Sequence, residues 1–460
     1  MDLQVVFNRI LAFILSVLSL VGIRINPVQP TDPNAPCSAE AAIEFRDEKA
    51  GNAAGTVTLT ADPDGTYLLY WADADGEKLT FEAQDACVPY AAFTTVTVRN
   101  GTGSTELNPF LAIPDGAQSI RICNTYDKDA GTLALPQNKW ADNGEMTYSF
   151  GTLSDVHFNR YNKSGTGDDA MITFPAALDF FRDCGVSMVG MAGDLSKEGE
   201  EDAYRKFATV SANYDFPVYT CKGNHDCYTQ YKLENWQKYI NPGVYGENKK
   251  ESVVTVADNG LDFVLCGEET GGDVFIFFSQ TGAKYGLPIF RIVTDAQLDW
   301  LQKQLETYKD RRVFLFFHTF LNAYEGVPML GEGNLLTKSL SFYPLAYTAC
   351  AKDEKRFRAL MTEYKNVTFF NGHSHWAYNL QSINPNLNIT DNGGKTGAMI
   401  HISSVTCPRV SNNTTILWTS ASMERSEGYL VSVYSDRFVV TAVDFLQKQA
   451  LAYATYVVYA

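Results

Sequence analysis

The feature that most narrows the fold is a repeated handover along the second two thirds of the chain. Short apolar, β-branched runs end in a glycine or a polar cluster, and amphipathic helical segments follow them. The runs are Tyr148 to Leu153, Val186 to Met191, Val218 to Cys221, Val313 to Phe317 and Val367 to Phe370. Helical periodicity occupies segments around Met171 to Cys184, Glu200 to Tyr214 and Lys355 to Tyr364. Thr294 and Gln297 form a capping box, and Leu298, Leu301 and Leu305 mark the buried stripe of a further helix. Such alternation predicts an α/β fold from Met146 onward. Between its helices, Ser252 to Val256, Phe263 to Cys266 and Val274 to Phe278 read as strands, and the tail from Gly428 to Val440 onward as antiparallel strands.

The residues closing these runs are chemically biased. Five clusters stand at the carboxyl ends of predicted strands, where an open α/β sheet builds its ligand sites. In chain order they are Asp155-Val156-His157, Gly193-Asp194, Asn224-His225-Asp226, His318, and Gly372-His373-Ser374-His375. The chain has 6 histidines, and all but His401 fall in these clusters, a distribution that core packing alone does not produce. Carboxylate, imidazole and amide oxygen suit Zn, Mn or Fe better than Ca. Two divalent ions roughly 3.5–4 Å apart can polarise a phosphoryl group and hold a hydroxide between them. One carboxylate must bridge such a pair, and Asp194, in a tight Gly-Asp turn, suits that task.

A length of 460 residues exceeds what one core supports, so two domains are expected. Residues from about 37 to 135 read as short strands punctuated by turns, with alternation at Thr56 to Thr60 and Thr94 to Val98. That pattern predicts a small all-β sandwich resembling a fibronectin type III domain. It contains no histidine. Residues 132–145 read as the linker, and 146–460 as the α/β domain. A net charge of −16 argues against a general nucleic-acid-binding surface. It leaves room for a small anionic substrate, because bound cations reverse the local field.

The uncharged run Ile10 to Ile23, ahead of a proline-spaced tract to Pro36, is expected to be an export signal. An uncleaved amino-terminal anchor, with membrane contact confined to residues 1–25, is the alternative. Either places the protein outside the cell or on its surface. The 9 cysteines show no CxxC spacing, which sets aside zinc-finger and thioredoxin chemistry. Pairing among Cys37, Cys87 and Cys123 and burial as small hydrophobes both stay open.

Taken together, the ordered motifs closely resemble the calcineurin-like metallophosphoesterase superfamily over roughly residues 148–445. The resemblance implies a four-layer α/β/β/α sandwich. It assigns Asp155, His157 and His375 to one divalent ion and Asn224, His318 and His373 to a second, with Asp194 shared. His225 would face the phosphoryl oxygens or protonate the leaving group, and Asp226 would orient His225. The implied function is hydrolysis of phosphate mono- or diesters by attack of a metal-bridging hydroxide on phosphorus, the ions being Mn, Fe or Zn. A non-catalytic surface-binding protein on the same scaffold is the alternative. Purple acid phosphatases look similar but carry a tyrosine three residues after the bridging Asp and a DxG first motif. Lys197 and His157 stand at those positions here, so no tyrosinate–iron(III) site is expected. His401, in an apolar run, is expected to be a satisfied core histidine. Asn159, Arg160, Tyr228, Trp376 and Arg409 flank the motifs and could contact substrate.

Overall fold

The computed structural model describes residues 36–247, 249–281, 292–319, 351–382, 388–411 and 419–459. The hydrophobic start, the glycine-rich stretch Gly326 to Gly333 and Cys350 lie outside the described residues. Among the described residues, no helix is long and apolar enough to cross a membrane.

Every run from Tyr148 onward that reads as a strand is one, shortened or extended by a residue or two. They assemble into two seven-stranded mixed sheets. The first has the order Val218–Thr220, Met188–Met191, Tyr148–Leu153, Glu427–Val433, Arg437–Asp444 and Gln449–Ala450, with Tyr456–Tyr459 also paired to Arg437–Asp444. Its first three strands are parallel, and the tail joins antiparallel to Tyr148–Leu153. The second runs Val253–Val256, Phe263–Leu265, Val274–Phe277, Val313–Phe316, Val367–Asn371, Met399–His401 and Ile389–Thr390. Its four members from Val274 to His401 are parallel, so the ends after Phe316 and Asn371 open on the same side.

Alternate side chains decide what packs where. Phe150, Met188 and Tyr219 of the first sheet share one buried cluster with Phe275, Phe277, Phe314, Phe316 and Phe370 of the second. Rings stack within it, Phe277 and Phe370 lying 5.0 Å and 5.1 Å from Phe316. The opposite residues of the first sheet, Val189, Met191 and Val218, join Phe174, Leu178 and Phe181 of helix Ala170–Asp183 and Phe207 of helix Glu201–Ser211. In the second sheet, Ile276, Val313 and Leu315 join Leu298, Leu301 and Leu305 of helix Asp295–Thr307, with Phe357 and Leu360 of helix Ala351–Glu363.

Helix Asp295–Thr307 starts at the expected capping box. Gln297 does more than cap: its amide also donates to Asp262 Oδ2 and to the carbonyl of Ser279, each at 2.9 Å. Asp262 accepts two further bonds, from Ser279 N at 2.6 Å and Asn259 Nδ2 at 2.6 Å. Burial pushes its carboxyl up to about 6 against those bonds. A folded-state value above the unfolded one means stability from this group is complete below about pH 4 and is lost as pH rises through about 6. Relative to Asp262→Asn, wild type should therefore lose about 2–3 kcal/mol between pH 4 and pH 7. Parallel chemical denaturation of both proteins at the two pH values checks this, and a constant difference would contradict it.

The amino-terminal part is all β. Ser38–Phe45, Gly55–Asp62 and Thr102–Glu106 form one sheet, and Thr94–Val98, Gly65–Ala72, Ser119–Asn124 and Asp129–Ala134 another. Val57 and Leu59 from the first and Leu69, Trp71, Val96 and Ile120 from the second meet in a single cluster. Residues 132–145 are more structured than the linker expected of them. The strand Asp129–Ala134 enters the stretch, and buried Lys139 donates from Nζ to the carbonyls of Asp47 and Lys49, fastening it to the β region. Backbone bonds also cross to the α/β part, from Ala91 N to Ala450 O and from Val457 N to Phe110 O, both 2.8 Å. The described cysteines are all free thiols, including Cys37, Cys87 and Cys123. Cys123 is buried beside the core, whereas Cys87 is exposed on the separate hairpin Thr80–Ala83/Ala86–Pro89, so their sulfurs face different surroundings.

Candidate metal centre

Each strand end delivers its donor through a tight turn. Asp155 and His157 follow Leu153, Asp194 follows Met191, Asn224 follows Thr220, His318 follows Phe316, and His373 and His375 follow Asn371. Asp155, His157, Asn159, Asp194, His373 and His375 all have positive φ, between 54° and 82°. Residues with a Cβ avoid that region, and each such conformation costs on the order of 1–3 kcal/mol. Half of the 12 described non-glycine residues with positive φ thus sit in these loops. Glycines permit the close approach of the loops: a Cβ on Gly223 would lie 2.1 Å from Asp194 Oδ1, and one on Gly193 2.6 Å from Gly223 N.

The side chains converge as two groups about Asp194. In the first, Asp155 Oδ1 lies 3.0 Å from His375 Nε2 and 3.5 Å from His157 Nε2, and the two imidazole nitrogens are 2.9 Å apart. In the second, His318 Nε2 lies 3.1 Å from Asn224 Oδ1 and 3.0 Å from His373 Nδ1. Asp194 Oδ2 stands between the groups, 3.6 Å from His157 Nε2 and 3.2 Å from His318 Nε2. Donor atoms of Asp155, His157 and His375 lie within 4.8 Å of one another, as do those of Asp194, His318 and His373. Nearly all of this is buried.

Outer partners set the imidazole orientations. His318 Nδ1 is 2.7 Å from the carbonyl of Ala192, which can only accept, so Nδ1 keeps its proton and Nε2 is the nitrogen turned inward. His375 Nδ1 meets Cys407 Sγ at 2.9 Å. Asp194 Oδ1 accepts from His225 N at 2.9 Å, and the Asn224 amide donates to the Tyr228 hydroxyl, leaving its oxygen for the centre. Electrostatics favour positive charge here. Burial opposes ionisation of Asp194, yet the charges of His318 and His225 hold its carboxyl well below the usual range. Burial likewise opposes the imidazolium of His318, yet Asp194 and Asp155 raise it to about 9.

This donor set fits divalent cations. Lone-pair nitrogens and carboxylate oxygens face each other across about 3 Å, a repulsive arrangement unless a cation or proton lies between them. Asp155 Oδ1 is buried and accepts no hydrogen bond among the described residues, while its other oxygen accepts from Ser154 Oγ and His373 N.

His225 also lies near His157 and Asp194. Both its nitrogens are otherwise engaged: Nδ1 donates to the Lys197 carbonyl at 2.7 Å, and Nε2 faces Arg160 Nη1 at 2.8 Å. The orienting role expected of Asp226 is therefore filled by Lys197. Asp226 instead accepts from the amides of Leu195, Ser196 and Gly223 and from Ser196 Oγ. Its short side chain ties the turn after Met191 to the one after Thr220. His401 is a satisfied core histidine, with Nε2 2.9 Å from Ser374 Oγ. Sequence reasoning missed Cys407, because nothing in its local sequence tells that it stands behind His375.

The family model for calcineurin-like phosphoesterases matches residues 148–377, which are 230 of the 460 residues. The chain belongs to that family, whose members are metal-dependent hydrolases acting on phosphoric ester bonds. A probable glycerophosphodiester phosphodiesterase, GpdQ, of Arcobacter nitrofigilis is 27% identical over 135 residues, 28% of this chain and 41% of that protein. The match thus spans less than half of that curated relative's length. Among solved structures, a vacuolar protein sorting 29 single mutant from Entamoeba histolytica is 10% identical with a TM-score of 0.26, covering 68% of this chain and 99% of that one. The same protein from Cryptosporidium parvum also gives 10% and 0.26, covering 69% and 98%.

Proposed function

We propose that the chain is a hydrolase of small phosphate mono- or diesters that works through two divalent ions, Mn, Fe or Zn. Asp155, His157 and His375 hold one ion, Asn224, His318 and His373 the other, and Asp194 both. The observation that carries this reading is the meeting of these seven side chains, from five separate strand ends, about the Asp194 carboxylate. The partial likeness to a probable glycerophosphodiester phosphodiesterase supports a diester as one substrate class. The three apolar clusters support a four-layer α/β/β/α arrangement behind the site, with residues 37–135 as a separate β-sandwich domain before a domain at 146–460. We also propose export, on the strength of the run Ile10 to Ile23.

Cations bound there supply Lewis acidity toward the phosphoryl group and the attacking water. The chain's own residues do the rest. Asp194 fixes the spacing of the two donor groups. His225, held through Nδ1 by Lys197 and through Nε2 by Arg160, stands beside His157 and Asp194, where it would face the phosphoryl oxygens or the leaving oxygen. Water attacks phosphorus directly, the ester P–O bond breaks, and the departing oxygen takes a proton, with no covalent enzyme intermediate. Metal analysis beside hydrolysis of p-nitrophenyl phosphate and bis-p-nitrophenyl phosphate tests the reading. About two metal equivalents and turnover of at least one ester are expected. Absence of both metal and turnover would leave a non-catalytic binding protein on this scaffold.

A further inference from the structure

Arg160 sits three residues beyond His157 with a half-buried side chain. Its Nη1 lies 2.8 Å from His225 Nε2 and 3.3 Å from both ring nitrogens of His157. Among the described residues no carboxylate lies within ion-pair distance of this guanidinium, although the chain carries 53 acidic residues against 37 basic ones. An arginine cannot shed its proton in a protein. With His225 Nδ1 donating to the Lys197 carbonyl, Nε2 accepts from Arg160 Nη1, and that bond holds a fixed positive charge at the edge of the donor cluster.

The loop that carries it is built to stay in place. Asn159 N donates to Asp168 Oδ2, and Asp169 N to the Tyr161 carbonyl, which pins both sides of Arg160. The buried Asp169 carboxylate accepts from the amides of Lys163 and Ser164, and Lys206 bonds both Asn159 Oδ1 and Asp168 Oδ2. The guanidinium also lies 5.1 Å from the Tyr161 ring, a cation–π contact that leaves its remaining N–H groups available. A surface arginine needs none of this bracing; a recognition arginine does.

We propose that Arg160 is a substrate-binding residue that grips a terminal phosphoryl oxygen and so tunes the site toward phosphomonoesters. This rests on the phosphoesterase reading above. A monoester at neutral pH carries two negative charges and three terminal oxygens, one more of each than a diester. With two oxygens directed to the metal centre, the third falls to Arg160 beside His225. In a diester that position holds a substituted oxygen, a poor acceptor without the extra charge. Arginine's planar fork suits such an oxygen, and the guanidinium gains most from the dianion.

The test compares wild type, Arg160→Ala and Arg160→Lys, all metal-loaded. The measurements are metal content, KM and kcat on p-nitrophenyl phosphate and bis-p-nitrophenyl phosphate, and the inhibition constant of inorganic phosphate. Arg160→Ala should keep its metals and fold and weaken inorganic phosphate about 10- to 100-fold. KM for the monoester should rise by a similar factor and KM for the diester by much less. Lysine, with the charge but no fork, should restore part of the loss. An unchanged phosphate constant and KM, with kcat alone reduced, would show that Arg160 only positions His225 and would overturn the proposal. An equal loss on both esters would overturn the monoester preference. If wild type itself binds no metal and cleaves neither ester, it is the underlying phosphoesterase reading that fails.

Discussion

Asp194→Asn is expected to lower kcat on either ester by on the order of a thousandfold, while the protein stays folded and holds at least one metal equivalent fewer. The asparagine keeps the size of the side chain and an oxygen for the His225 amide, which Asp194 Oδ1 now binds at 2.9 Å. What it removes is the negative charge facing His157 and His318 from Oδ2. On the proposed two-metal reading, an uncharged shared ligand would leave two cations repelling each other, and a loss of several kcal/mol converts to about three decades in rate. Steady-state kinetics and elemental analysis of the same preparations check both parts. Equal turnover by variant and wild type would mean the two-metal reading is wrong.

Phe316→Ala should destabilise the α/β part by about 3–5 kcal/mol, lowering its unfolding midpoint by on the order of 10 °C. The ring is fully buried between the two large sheets and stacks against Phe277 and Phe370. Gly190 of the facing sheet makes room for it, since a Cβ there would lie 2.6 Å from Phe316 Cζ. Gly190→Ala alone should cost about 1–3 kcal/mol by overpacking. In the Phe316→Ala background the same methyl enters space the ring has vacated, so the double variant should be less destabilised than the sum. Thermal and urea melts of the four proteins measure the coupling, and simple additivity would place the contact elsewhere.

Much of this architecture was legible because its signals are local. Val313 to Phe316 is apolar at every position, as a strand covered on both faces must be, and the capping box at Thr294 and Gln297 needs only residues within one turn. The donor residues were legible for a related reason: each stands just past an apolar run, and histidine is rare elsewhere. Ser38–Phe45, rich in alanine, and the polar Thr102–Glu106 escaped because they belong to a half-exposed sheet, where the partner strand rather than the sequence decides the conformation. Leu233–Tyr239 is too short for helical periodicity to show, and it is anchored by the buried Trp236. The orienting role of Asp226 came from the family resemblance alone, whereas its carboxylate accepts from amides some 30 positions away, a contact that no local sequence signal announces.

The left-handed backbone at Asp155, His157, Asp194, His373 and His375 sets durability against chemistry. Glycine relaxes in that region without penalty. Replacing His157 with glycine should therefore give an inert protein that, stripped of metal, is destabilised less than the loss of so buried a ring would otherwise cost. The strain these backbones carry is a standing cost in stability, borne because the donors they aim serve turnover.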